Sequence, residues 1–414
     1  MGRAMPDSGP DIAKRDSVAI LGGTFDPVHN GHLAVATAVR ERFNLSEIIL
    51  MPTGSSWLKS GRDVTGAEAR YEMTRLAVAG DPGFSVSRME LERRGSTYTV
   101  DTVLELLGEN ENLKISLIVG SDILFEIPSW REPERLLKLC SLIAVARPGH
   151  DRKAVRGQFK FLKAAFDCRI SLFTGRMLDI SSTAIREDVL YGRSIKYLVP
   201  EGVERYISEH NLYRDMEFEA FLNSGAVRGY REAVRGLLSP YRYSHSLGVA
   251  EWAVRLARLN GADTALIQKA YIAGILHDLA KEFPERDMRD ICEKSGGSPA
   301  GQISPAHLLH GFAAAAYAHE HMGVGDPDIL EAMRLHTTGA PGMTLLGKLI
   351  FIADMTEPLR DYDGADELRA LALKDMDGAV ARALEMKMEF TREKGREVHP
   401  DAVRALEYYK RQAR

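Results

Sequence analysis

The chain has 414 residues, 45% hydrophobic and 27% charged, with a formal net charge of -4. That balance gives no electrostatic footprint for nucleic acid or an anionic membrane, and no uninterrupted apolar run reaches the roughly 18 residues that a membrane span needs. At about 100–200 residues per domain, two or three domains are expected. Cys140, Cys168 and Cys292 have no metal-ligand spacing and cannot all pair, so they read as buried thiols of a reducing, cytoplasmic compartment. Residues 1–16, MGRAMPDSGPDIAKRD, lack the apolar core of a signal peptide and read as a disordered leader.

Residues 18–33, VAILGGTFDPVHNGHL, organise the first half. Val18 to Leu21 form a continuous apolar run, as in a strand buried on both faces. Gly22 and Gly23 have no Cβ, so a phosphate can approach the backbone closely. A helix is expected to open near Asn30, with its free N–H groups facing the same space. His29 and His32 are three apart and share one face of that first turn. The helix continues over residues 32–43, and strands follow over 47–51 (EIILM), 114–119 (KISLIV) and 142–146 (LIAVA). This alternation predicts an α/β domain with a parallel sheet, whose ligands sit beyond the carboxyl ends of the strands. Informative residues stand at those ends: Gly22-Gly23, Pro52-Thr53 and Gly120-Ser121-Asp122. Lys59 can reach a phosphate as a mobile point charge. Trp130, in GSDILFEIPSW, can stack on a flat heteroaromatic ring or serve the core. In DISSTAIR, residues 179–186, three hydroxyls suit a helix cap, and Arg186 one turn on makes a second phosphate site.

GGTFDPVHNGHL, the run over 90–102, GSDILFEIPSW, ISSTAIR and YLVPEGVERYISEHNLY together resemble the bacterial nicotinate-nucleotide adenylyltransferases. The order is the family's, and the match covers nearly all of residues 18–213. The resemblance implies a Rossmann-like nucleotidyltransferase domain over residues 17–214 that transfers AMP from ATP to nicotinate mononucleotide, with Mg²⁺ and pyrophosphate release. It implies ATP contacts at Gly22, Gly23, Thr24, His29, His32, Lys59, Ser182 and Arg186. Thr99, Asp122 and Trp130 are implied as mononucleotide contacts. His29, His32 and Arg186 would neutralise charge on the triphosphate, and no general base is assigned. One departure is SSWLK, where relatives usually place prolines and a His-Lys pair, and it weakens the assignment of Lys59.

From residue 215 to 414 strand-like runs are scarce and amphipathic helices are expected, for instance over 246–259 and 264–279, giving an all-α second domain. Seven of the twelve histidines lie between His245 and His336. His245, His277, Asp278, His310, His336 and Asp354 stand in or beside apolar runs. An unpaired carboxylate there would be costly, so a shared cation with imidazole and carboxylate ligands is the economical reading.

That set resembles the HD-domain metallohydrolases, and LLHG, HTTG and GKLIFIADMTEP resemble their YqeK-type branch, over about residues 241–371. The resemblance implies two divalent ions, iron with Mn²⁺ as the alternative, bridged by a catalytic Asp278. It implies symmetrical hydrolysis of diadenosine tetraphosphate to two ADP. His307 reads as outside the ligand set, and Lys281 and Arg360 as phosphate contacts. Two other readings of the second domain stay open: a phosphohydrolase for another nucleotide, and a metal-bound nucleotide sensor that regulates the first. No nucleic acid or membrane partner is expected, and a homo-oligomer is left open.

Overall fold

The computed structural model describes residues 15–54, 64–93, 95–146, 152–175, 177–295 and 308–412. The chain divides into two compact units between Asp215 and Met216.

The first unit is built on six parallel strands: β1 (Ser17–Gly23), β2 (Glu47–Pro52), β3 (Phe84–Val86), β4 (Lys114–Gly120), β5 (Ser141–Val145) and β6 (Ile170–Phe173). Their order is β3-β2-β1-β4-β5-β6. β1 pairs with β2 in the register Ile20↔Ile49 and with β4 in the register Ile20↔Leu117. The order reverses between β1 and β4, which opens a crevice at their carboxyl ends. Side chains alternate between two cores because the strand period is two. Val18, Ile20, Ile49 and Met51 face one side, and Ala19, Ile48 and Leu50 the other. The connecting helices are α1 (Asn30–Phe43), α2 (Ala67–Ala77), α3 (Met89–Glu92), α4 (Thr99–Glu109), α5 (Pro133–Leu139), α6 (Arg152–Phe166), α7 (Ser182–Leu190) and α8 (Glu201–Glu209). The sequence reading lacked β3 and β6. β3 has three residues, and β6 is an edge strand with an exposed middle, so neither carries a continuous apolar signature.

The second unit is helical among its described residues: α9 (Met216–Leu222), α10 (Gly225–Leu237), α11 (Pro240–Leu259), α12 (Thr264–Leu276), α13 (Glu285–Lys294), α14 (Leu309–Met322), α15 (Pro327–Leu335), α16 (Leu345–Thr356), α17 (Ala365–Ala372), α18 (Met376–Glu393) and α19 (Pro400–Gln412). One boundary corrects the sequence reading. α12 ends at Leu276, so His277 is its C-cap and Asp278 lies in the turn beyond. The apolar run continues through Leu279 and Ala280 because that turn is buried too. No helix among the described residues is long and apolar enough to cross a membrane.

The crossing of α11 and α12 depends on Gly274, where a Cβ would stand 2.5 Å from Ala250 Cα and 2.8 Å from Ala250 N. Backbone cannot yield as a side-chain tip can. Gly274→Ala is expected to destabilise the helical unit by about 1–3 kcal/mol, measured as a shift of its denaturant transition to lower concentration by far-UV circular dichroism. An unmoved transition would mean that the two helices separate without cost.

Candidate active site and metal centre

In the first unit the chain turns sharply from β1 into α1. His29 is the N-cap of α1, with an extended backbone (φ -146°, ψ 168°). Its Nδ1 accepts the N–H of His32 at 3.3 Å, and His32 Nδ1 accepts the N–H of His29 at 3.3 Å. The two imidazoles are stacked with centroids 3.6 Å apart. Gly31 makes this possible, because a Cβ there would meet His29 Nδ1 at 3.0 Å. A backbone N–H can only donate, so both Nδ1 atoms are acceptors and, in the neutral rings, both Nε2 atoms carry the proton. Burial pushes the His29 pKa down to about 4, so this ring is neutral at ordinary pH.

The motif ending in Arg186 folds back onto the same turn. Ser181 caps α7 by accepting the Ala184 N–H. Ser182 Oγ donates to Pro27 O at 2.9 Å, and Arg186 Nη1 donates to Asp26 O at 2.6 Å. The two motifs, about 155 residues apart in sequence, are therefore bonded together.

A cavity of about 800 Å³ lies at the carboxyl ends of β1 and β4. Gly22, Gly23, Thr24, His32, Thr99, Trp130 and Ser182 line it. A Cβ added at Gly22 would meet nothing within 4 Å, so the backbone there stands open. Trp130 does both things allowed by the sequence, lining the cavity and packing against the core. His29, Arg186 and Asp122 are not among the lining residues; Arg186 is a third exposed, and Asp122 sits at the start of the turn Ile123–Phe125. Lys59 lies outside the described residues.

Three residues that hold this turn were missed in the sequence. Asp26 is buried and accepts Tyr213 Oη–H at 2.8 Å and the Thr65 N–H at 3.3 Å. Arg70, also buried, donates to Thr24 O, Thr65 O and Gly54 O. Tyr213 closes the quoted run YLVPEGVERYISEHNLY. Only Asp26 had a usable signal, as the one carboxylate in residues 18–33.

In the second unit, five elements converge. His245 comes from α11, His277 from the end of α12 with Asp278 beyond it, His310 from the start of α14, His336 from the C-cap of α15, and Asp354 from α16. Asp278 Oδ1 lies 3.0 Å from His310 Nε2 and 3.4 Å from His336 Nε2. His245 Nε2 lies 3.2 Å from Asp354 Oδ1, and His277 Nε2 lies 3.9 Å from the same oxygen. Two ligand groups result, His245–His277–Asp278 and Asp278–His310–His336, each with its atoms within 4.8 Å. Asp278 belongs to both.

The tautomers suit a cation. His277 Nδ1 bonds Gly274 O at 2.7 Å, and His336 Nδ1 bonds Met333 O at 2.7 Å. Both residues cap helix ends, where the last carbonyls lack intrahelical donors. His245 Nδ1 bonds Glu357 Oε1 at 3.0 Å. With Nδ1–H donated, His277 and His336 keep Nε2 for a cation, as metal-bound histidines require. His245, whose pKa is raised against the effect of burial by its bonds to Asp354 and Glu357, would give up its Nε2 proton on binding one. His277 Nε2 is buried without a hydrogen-bond partner, and burial pushes its pKa down to about 3. Burial alone would raise the carboxyl of Asp278, but His277, His310, His336 and Lys281 outweigh it and hold the group well below the usual carboxylate range. Orphaned inward lone pairs beside an ionised carboxylate fit divalent metal.

The sequence reading missed Glu357, Arg242 and Lys387. Glu357 is buried and orients His245. It stands three residues after Asp354, a spacing that puts both on one face. Arg242, three before His245, has its Nη1 3.5 Å from Asp278 Oδ2. Lys387 arrives from α18 with Nζ 2.9 Å from His336 O, and nothing near it in sequence announces this. His307 lies outside the described residues.

The cytidylyltransferase-like family model matches residues 20–188, and the HD domain model matches residues 242–359. A protein of Leifsonia xyli subsp. xyli named "probable nicotinate-nucleotide adenylyltransferase" is 43% identical over 202 residues, covering 49% of this chain and 96% of its own length. A Streptomyces coelicolor protein of the same name is 44% identical over 197 residues, covering 47% and 99%. A solved Clostridium acetobutylicum structure titled "predicted HD superfamily hydrolase involved in NAD metabolism" is 38% identical, covering 45% of this chain and 97% of its own, with a TM-score of 0.43. Through its first half the chain belongs to the nicotinate-nucleotide adenylyltransferase family, and its second half carries an HD domain.

Proposed function

We propose that the first half transfers AMP from ATP to nicotinate mononucleotide, giving deamido-NAD and pyrophosphate, as a cytoplasmic step of NAD biosynthesis. Family membership supports the reaction, and the reciprocal cap of His29 and His32 carries the mechanism. Each Nδ1 accepts a backbone N–H, which leaves Nε2–H as the donor of each ring, and burial keeps His29 neutral. Stacked at 3.6 Å, two imidazolium ions would repel each other. A neutral pair donates hydrogen bonds to phosphate oxygens and stores no such repulsion. In this reading Gly22, Gly23 and Thr24 take the triphosphate, while Ser182, Arg186 and Lys59 add donors and charge. Thr99, Trp130 and Asp122 hold the mononucleotide. Its phosphate would attack the α-phosphorus in line as the bond to the pyrophosphate leaving group breaks, and Mg²⁺ bound with ATP would supply charge neutralisation to that leaving group. Positioning and charge stabilisation suffice, with no covalent protein intermediate.

Arg186→Gln is expected to lower kcat of adenylyl transfer by about 10²–10³-fold, as for loss of one transition-state donor. A loss smaller than about threefold at unchanged circular dichroism would remove Arg186 from the machinery. ¹⁵N NMR of labelled imidazoles should find protonated Nε2 and bare Nδ1 in both His29 and His32 at neutral pH. A lowered pKa means that the neutral ring persists on acidification, so His29 should titrate only near about 4. Titration of His29 near its ordinary value would refute the neutral pair.

For the second half we propose symmetrical hydrolysis of diadenosine tetraphosphate to two ADP. The sharing of Asp278 by two ligand groups is the observation that supports a dinuclear centre, with His245, His277, Asp278, His310, His336 and Asp354 as its ligands. Two divalent ions, iron or Mn²⁺ in its place, supply hydroxide and hold phosphate oxygens when bound in such a site. The chain itself fixes the imidazoles through Glu357, Gly274 O and Met333 O. Anaerobic protein given Fe²⁺ or Mn²⁺ should convert diadenosine tetraphosphate to ADP alone, resolved by chromatography. Asp278→Ala should lose both bound metal and cleavage. AMP and ATP as products, or no cleavage with any divalent ion, would reject this assignment.

A further inference from the structure

Four cationic side chains stand around the two carboxylates of the second unit. Arg242 Nη1 is 3.5 Å from Asp278 Oδ2, and Lys281 Nζ is 3.4 Å from Asp278 Oδ1. Arg360 Nη2 is 2.7 Å from Asp354 Oδ1, and Lys387 Nζ is 3.7 Å from Asp354 Oδ2. Their exposures fall in a narrow band, 27% to 31%, while Asp278 and Asp354 are exposed by 2% and 14%. The cations therefore form a layer between the buried carboxylates and solvent. They come from four separate places: the start of α11, the turn after α12, the segment after α16, and α18. Lys387 lies beyond the stretch that the HD domain model matches.

Structural ion pairing does not account for the number. Among the described residues, Asp278, Asp354 and Glu357 are the carboxylates in the cluster, and Glu357 is engaged by His245 Nδ1 and the Leu359 N–H. Glu282, close to Arg242, is bonded to Ser239 N and Oγ. Four cations thus face three carboxylates before any metal charge is added. Lys281 Nζ also sits 2.9 Å from His310 Nε2, and Arg360 Nη2 sits 3.3 Å from His245 Nε2. Each of these two therefore stands against one His/Asp pair of the centre. Arg242 and Lys387 approach from the opposite carboxylate oxygens. A chain of several phosphates presents successive ionised oxygens, and it can span contacts from several directions where a single phosphate cannot.

We infer that Arg242, Lys281, Arg360 and Lys387 form a collar that selects substrates by phosphate-chain length, with Arg242 and Lys387 as specificity-determining residues that favour three or more linked phosphates over one. This rests on the hydrolase reading of the second half. It adds that the collar, rather than the metal ligands, excludes nucleoside monophosphates. It also makes binding depend on ionic strength, because partly exposed charges are screened.

The test compares the full chain with its Lys387→Met and Arg242→Gln variants. Calorimetric titration of chelator-treated protein with inorganic tripolyphosphate and with orthophosphate reads the collar without turnover. Hydrolysis of diadenosine tetraphosphate and of AMP by the Mn²⁺-loaded chains reads it during turnover. Adenylyl transfer by the same preparations checks that the first half is intact, and any phosphate binding there is common to all variants. Wild type should bind tripolyphosphate at least about tenfold more tightly than orthophosphate, and each variant should lose about three- to tenfold for tripolyphosphate alone. KM for diadenosine tetraphosphate should rise by a similar factor with kcat less affected. Lys387→Arg and Arg242→Lys, which keep the charge, should restore the preference and guard against misfolding. Equal binding of the two anions by wild type, or equal losses for both in the variants, would overturn the collar. A chain-length preference that the two variants lose, without hydrolysis of any nucleotide, would uphold the collar and reject the hydrolase reading instead.

Discussion

A buried carboxylate governs each half of this chain. Removing an ionised carboxyl from water costs several kcal/mol unless partners surround it, so the surrounding fold is obliged to deliver them. Asp26 gathers the Thr65 N–H, the Tyr213 hydroxyl and the neighbourhood of Arg186. These partners come from widely separated parts of the first unit, and the glycine turn is fixed as a by-product. Asp278 does the same on a larger scale, drawing two imidazoles, Lys281 and Arg242 to one point. The helix ends that carry those partners have little freedom left once the carboxylate is satisfied.

On the proposed readings, the two halves would meet phosphate by opposite electrostatic means. In the first, backbone N–H groups and uncharged imidazoles surround an open glycine turn, and Arg186 is held back by bonds to Asp26 O and Thr183. Such a site offers directional donors more than net charge. In the second, the candidate metal-binding histidines are buried beside guanidinium and ammonium groups. In the proposed collar the field itself would discriminate, and reach along a phosphate chain would matter more than the angle of any one hydrogen bond.

Much of this was legible in the sequence where a pattern is local. β1, β2, β4 and β5 are continuous apolar runs, and each appears within two residues of its expected limits. β3 and β6 were not legible because a three-residue strand and a half-exposed edge lack period or length. The H-x-G-H core announced two histidines on one turn, but not that they cap each other, since the stacking follows from backbone angles. The six histidines and aspartates of the second half drew attention by standing among apolar residues. Their supports did not. Glu357, Arg242 and Lys387 look like ordinary surface charges until tertiary packing brings them to the centre. His277 was expected inside a helix because burial of the following turn extends the apolar run past the true end.

Gly31 and His29 crowd each other: a Cβ at position 31 would stand 3.0 Å from His29 Nδ1 and 3.1 Å from its Cε1, with Leu178 O at 3.4 Å behind, so the ring would have to shift to admit it. The two positions therefore cannot vary independently. Any lineage that enlarged residue 31 first would displace the ring that caps α1, whereas one that shortened residue 29 first would open room for the change. Effects of substitutions at the pair are non-additive by construction, and the order in which they arise decides which paths through sequence space remain passable.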